Sequence, residues 1–114
     1  MSATNKATIE KANETFRHAD TEGLLALCTE DFTWTMVGGE KVTGKAAIRE
    51  WMGKGPSEPP NFSIDTVVAE GNYVICAGDM TMDEKGEAVP YAYCDVWRLD
   101  GDKIAELRAY VIRT

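Results

Sequence analysis

Histidine is almost missing from this chain: His18 is the single one in 114 residues. Cysteine is scarce too, with Cys28, Cys76 and Cys94 far apart and no CxxC pair. Without a ligand-spaced Cys/His set no zinc site is expected, and only a carboxylate metal site stays open. An odd number of scattered thiols reads as free buried cysteines in a reducing compartment, not as a disulfide framework. His18 closes the first helical segment, where a helix-end or solvated role is expected. Basic residues are in deficit, 12 against 19 acidic, for a net charge of −7. That balance excludes nucleic acid, whose phosphates need a basic surface, and anionic membranes. No apolar run approaches the roughly 20 residues that span a bilayer. The opening MSATNKATIEKANE has no apolar signal-peptide core. Cytoplasmic residence is the expectation, and neither internal repeats nor low-complexity segments occur.

What is present is enough apolar material, 44% of residues, for one compact domain over residues 1–114. The first half reads as helical. Ile9, Ala12 and Phe16 recur near helical spacing within 3–18. Asp20 or Thr21 can cap a second helix through Cys28, carrying Leu24, Leu25 and Leu27. A strand follows in DFTWTMV (31–37), stopped by Gly38-Gly39. KAAIREWM reads as a short helix with Ala47, Ile48 and Trp51 on one side. Three prolines and two glycines make 53–61 a loop. The second half reads as four strands, 62–71, 72–83, 88–99 and 103–113, joined by turns at Glu70-Gly71-Asn72, Asp83 to Gly86 and Asp100-Gly101-Asp102. Helices followed by consecutive hairpins predict an α+β domain, with a curved antiparallel sheet wrapped around three N-terminal helices.

One residue breaks the pattern. In YAYCDVWRLDGDKIAELRAY (91–110), Asp95 shares strand parity with Tyr91, Tyr93, Trp97 and Leu99. A carboxyl among aromatics and short of water has its pKa raised, because desolvation disfavours the charged form.

The order of elements resembles the nuclear transport factor 2-like superfamily, in its SnoaL-like and ketosteroid-isomerase-like branch. Three segments carry the resemblance: IEKANETFRHADTEGLLALCTEDFTWTM, VTGKAAIREWM and YCDVWRLDGDKIAELRAY. It implies a cone-shaped fold with an apolar pocket at its mouth, in which Leu107, Ala109 and Val111 face the cone. Arg108 and Tyr110 then lie on the outer sheet face, through which relatives commonly form homodimers. By the same resemblance Asp95, in Asp95-Val96-Trp97-Arg98, matches the protonated acid of the ketosteroid isomerases. Met36 stands where that family has its base and Ala12 where it has a tyrosine; Tyr91 or Tyr93 could supply a replacement phenol. Against limonene-epoxide hydrolase, Asp79 matches the acidic aspartate. Ala77, Ala109, Trp34 and Met36 replace the rest of that set. Relatives often follow the last-strand tyrosine with an acidic residue; here Tyr110 precedes Val111-Ile112-Arg113-Thr114.

The surviving candidates are Asp95 and Asp79 as an acid–base pair, provided both point inward; the alternative is that one or both point outward or accept hydrogen bonds from tyrosines. Trp34, Met36, Trp51, Tyr91, Tyr93, Trp97 and Leu107 would line the substrate pocket or fill the core. Three functions fit these residues. One is metal- and cofactor-independent acid–base catalysis, of isomerase or hydrolase/lyase type, on a small hydrophobic molecule. The others are a non-catalytic small-molecule-binding module and a dimerising interaction domain.

Overall fold

The computed structural model describes residues 2–54 and 61–114. Three helices come first: α1 (Ser2–Arg17), α2 (Thr21–Ala26) and, after β1 (Cys28–Met36) and β2 (Lys41–Thr43), α3 (Lys45–Gly53). Five strands follow: β3 (Asn61–Phe62), β4 (Thr66–Glu70), β5 (Tyr73–Glu84), β6 (Glu87–Asp100) and β7 (Lys103–Arg113). The Asp20 carboxylate caps α2 by accepting the Gly23 N–H at 2.9 Å, satisfying a donor that the first helical turn leaves free.

All seven strands form one curved sheet in the order β2-β1-β7-β6-β5-β3, with β4 also paired to β5. The expected hairpins β4–β5, β5–β6 and β6–β7 are all present. At the last of these turns Gly101 takes φ +63°, a conformation open to glycine at no steric cost. Helix α1 packs across β4 and β5, and α3 across β1 and β2. The core lies between helices and sheet. It holds Ile9 and Ala12 of α1, Leu24 and Leu25 of α2, Phe32 of β1, Ile48 of α3, Val74 and Cys76 of β5, Trp97 and Leu99 of β6, and Ile104 and Leu107 of β7.

The α+β architecture with three helices under a curved sheet is as expected, with four differences of detail. The sheet is mixed, because β1 pairs parallel with β7, Trp34 opposite Leu107 and Met36 opposite Ala109. The second helix stops at Ala26, so Cys28 opens β1 and is not helical. Strand β2 had no sequence signal. The segment read as one strand over 62–71 is two, β3 and β4. Between them Ser63 and Asp65 still donate to the carbonyls of Asp79 and Ala77, at 2.9 Å each. Most of the loop expected over 53–61 falls on residues 55–60, outside the described residues.

Candidate active site

Strand pairing decides which side chains meet. In an antiparallel pair, residues opposite one another point to the same face. On the helix-covered face one row runs Trp34 (β1), Leu107 (β7), Trp97 (β6), Val74 (β5). The next row runs Met36, Ala109, Asp95, Cys76. Beyond it Tyr93 pairs with Gly78 on one side and Val111 on the other. The alternation that singled out Asp95 therefore places it on the inner face, in the row beside Trp97.

Asp95 is half-buried there. Burial alone pushes its carboxyl up from the usual 3.8 to about 7; no hydrogen bond or neighbouring charge contributes. Helix α1 covers the same region. Asn13 is buried and its side-chain N–H approaches Cys76 Sγ at 3.9 Å. The Phe16 ring lies 5.6 Å from Trp34 and 6.0 Å from Trp97, centre to centre. Trp51 of α3 meets Trp34 edge-on at 5.1 Å. Burial lifts the Cys76 thiol to about 11 and that of Cys28 to about 12, so both stay protonated and neither is a nucleophile at neutral pH.

Asp79 is not brought to this site. It pairs with Ala92, has the opposite parity to Asp95, and is exposed on the outer face. The structure thus separates the proposed pair by the thickness of the sheet. The match of Asp79 to the epoxide hydrolase acid fails for the same reason. Neither tyrosine supplies a spare phenol. Tyr93 donates to the Ser63 carbonyl at 2.8 Å, and Tyr91 donates to Glu84. Gly78 makes the first contact possible: a Cβ there would stand 2.0 Å from the Ser63 carbonyl oxygen. The remaining candidates, Trp34, Met36, Tyr93, Trp97 and Leu107, share the inner face with Asp95. Tyr91 sits at the far end of that face. It helps line an open groove of about 320 Å³ with Phe62, Asp79, Met80 and Pro90. Asp95 lines neither this groove nor a second one of about 340 Å³ bounded by Val68, Glu70, Tyr73 and Ile75.

Asn13 and Phe16 were the contacts not singled out as site residues from sequence. Both fall on the Ile9–Ala12 stripe of α1, at helical spacings of four, so periodicity could have found them. Among the described residues no group of three or more His, Cys, Asp or Glu could hold a metal, and no helix is long and apolar enough to cross a membrane.

Residues 9–107 match the family model of the SnoaL-like domain. The chain belongs to that family. Solved structures agree on the fold. This SnoaL-like chain superposes on a candidate ketosteroid isomerase from Kribbella flavida with a TM-score of 0.85 at 14% identity, covering 99% of this chain and 81% of that one. An LEH-like epoxide hydrolase from M. tuberculosis gives 0.85 at 16%, over 96% and 84% of the two chains. A candidate polyketide cyclase from Xanthomonas campestris pv. campestris gives 0.84 at 17%, over 96% and 90%. No curated protein sequence matches the chain significantly. At these identities the likeness carries the NTF2-like fold, not a reaction.

Proposed function

We propose that this SnoaL-like protein moves a proton on a small hydrophobic carbon acid, with Asp95 as the catalytic group and no cofactor. The observation that carries this is a half-buried carboxyl on the inner face, with no charge partner among the described residues and its pKa raised to about 7 by desolvation. A group titrating near neutrality is matched to proton transfer, since both of its forms are populated. The step balances within one carboxyl. The carboxylate takes a proton from carbon, and the C–H electron pair passes into the enolate. The same carboxyl then returns the proton to the old or a new carbon. With Asp79 on the other face and both phenols engaged, Asp95 works without a second acid.

Removing that carboxyl tests the reading. Isomerisation or proton exchange of small ketones, followed by deuterium incorporation, should fall at least a hundredfold in Asp95→Asn. In the unaltered protein kcat/KM should rise with pH and level off above about 7. Saturable binding of the same ketones with no exchange in either protein would leave a binding module instead.

Two supporting readings concern surroundings. Three free thiols, two of them buried, fit a reducing compartment such as the cytoplasm. The outer face of the sheet carries a run of apolar side chains, among them Val68, Tyr73, Ile75, Tyr110 and Ile112, all exposed. An apolar surface of this kind fits homodimerisation.

A further inference from the structure

Asn13 is a polar side chain in the core. It is 6% exposed, and burying an amide is unfavourable unless it is hydrogen-bonded. Among the described residues its side chain makes one hydrogen bond, from the amide N–H to Cys76 Sγ at 3.9 Å. Sulfur is a weak acceptor, so the contact does little for the amide by itself. It does more as a link. Cys76 stands directly opposite Asp95 in the β5–β6 pairing, and both side chains lie on the inner face. Cross-strand partners hold their Cβ atoms about 4.5–5.5 Å apart, which brings Sγ within reach of the carboxyl. Burial raises the Cys76 thiol to about 11, with the Asn13 hydrogen bond lowering it and the nearby Asp95 charge raising it.

A thiol accepts and donates at once. With Sγ accepting from Asn13, the S–H is left to donate. Cys28 shows what a buried thiol does in this fold: it donates to the Leu24 carbonyl at 3.3 Å. Cys76 lies in a strand whose main chain is paired on both sides, with β4 and with β6. The acceptor beside it on the inner face is the Asp95 carboxyl.

We propose that Asn13, Cys76 and Asp95 form a donor chain, amide to thiol to carboxylate, in which Cys76 is a positioning residue for the proton-moving group. This rests on the reading of Asp95 as that group. When Asp95 ionises, the S–H holds one carboxylate oxygen and leaves the other free to take a proton from carbon. A hydrogen bond to the charged form favours that form. A thiol is a weak enough donor to do so without making the carboxylate a poor base. Asn13 fixes the direction of the S–H and polarises it. The other elements packed on this row present uncharged groups: Asn13 of α1, Ala109 of β7 and Met36 of β1. The other titratable group that feels the Asp95 charge is Tyr93, whose hydroxyl is engaged by Ser63.

Infrared spectroscopy of the unaltered protein tests the chain directly. The S–H stretch absorbs in a clear window and moves to lower frequency as its hydrogen bond strengthens. The bands are assigned with Cys76→Ala and Cys94→Ala; if Cys76→Ala does not fold, Cys76→Ser removes the same band. Between about pH 5 and about pH 9 the Cys76 band should shift down as Asp95 ionises, while the Cys28 band stays fixed. A Cys76 band that ignores pH, or that still moves in Asp95→Asn, overturns the chain. An unchanged Cys76 band in Asn13→Leu overturns the part given to the amide. The Asp95 midpoint, followed by carboxyl ¹³C NMR, should rise by about half a pH unit in Cys76→Ala and fall in Cys76→Ser, a stronger donor. A midpoint that moves the same way in both variants reports packing and overturns the donor role. The infrared reading needs no substrate, so the chain and the reaction fail separately. A pH-dependent band in a protein that exchanges no ketone keeps the chain and overturns its catalytic use. Exchange lost in Asp95→Asn beside a static band keeps the reaction and overturns the chain.

Discussion

Strands β5 and β6 carry two apolar faces that the protein treats in opposite ways. On the inner face Val74, Cys76, Tyr93 and Trp97 disappear under the helices. On the outer face, one residue away along the same strands, Tyr73 stays 47% and Ile75 36% exposed. Val68 of β4 and Ile112 of β7 reach 52% and 68%. Composition alone does not tell these faces apart; cover does. The three helices can shield one side of a seven-stranded sheet, and the other stays exposed. The same division sorts the aspartates. Asp95, under cover, loses water and has its carboxyl pushed up to about 7. Asp79, outside, keeps its water.

The largest expected break in this contrast is in stability. Trp97→Ala should cost about 3–5 kcal/mol in urea unfolding, as truncation of a fully buried aromatic does. Ile112→Ala on the outer face should stay within about 0.5 kcal/mol for the monomer.

Next is the ionisation of Asp95. Its folded pKa, about 7, is raised above the usual 3.8 by burial. Below about pH 4 both folded and unfolded chains hold the proton and ionisation costs nothing. As pH rises towards 7 the unfolded chain ionises while the folded one does not, so stability falls across that window and levels off above it. Asp95→Asn should therefore melt several degrees higher than the unaltered protein at pH 8, with that gain shrinking to little at pH 4. A gain independent of pH would remove the buried carboxyl from the argument.

A smaller effect is expected outside. Ile112→Lys should shift the protein from dimer to monomer in sedimentation at micromolar concentration, with the helical circular dichroism unchanged. A monomer before substitution would overturn the dimer reading of this face. Smallest of all, Asp79→Asn should leave proton exchange and its pH profile as they were. A loss comparable to that of Asp95→Asn would show that the outer carboxylate takes part.

The contrast also explains what the sequence could reveal. In β6 the inner positions, Tyr91, Tyr93, Trp97 and Leu99, are bulky, while the outer ones include Ala92, Cys94 and Arg98, so the side of Asp95 was legible from alternation. In β5 both sets are apolar: Val74, Cys76, Gly78 and Met80 inside, Tyr73, Ile75 and Ala77 outside. An uncovered apolar face erases the parity signal, and Asp79 could be read either way. Local turns at Gly71 and Gly101 fixed the hairpins. The parallel pairing of β1 with β7 joins residues some 70 apart and leaves no local mark. The replacement phenol that Tyr91 or Tyr93 could supply is engaged in both cases, Tyr93 donating to the Ser63 carbonyl and Tyr91 to Glu84, contacts that no local pattern marks.

That parallel pairing has a consequence for how the protein is made. Strand β1 lies early in the chain and finds its partner only in the last strand, where Met36 meets Ala109. While the polypeptide emerges from the ribosome, the aromatic row that begins at Trp34 has no neighbour on that side until β7 has emerged. The helices and the β4–β6 hairpins can form beforehand, but the row that frames Asp95 is assembled last, and closing so long a loop is slow. The inner face around Asp95 is completed only when β7 docks beside β1.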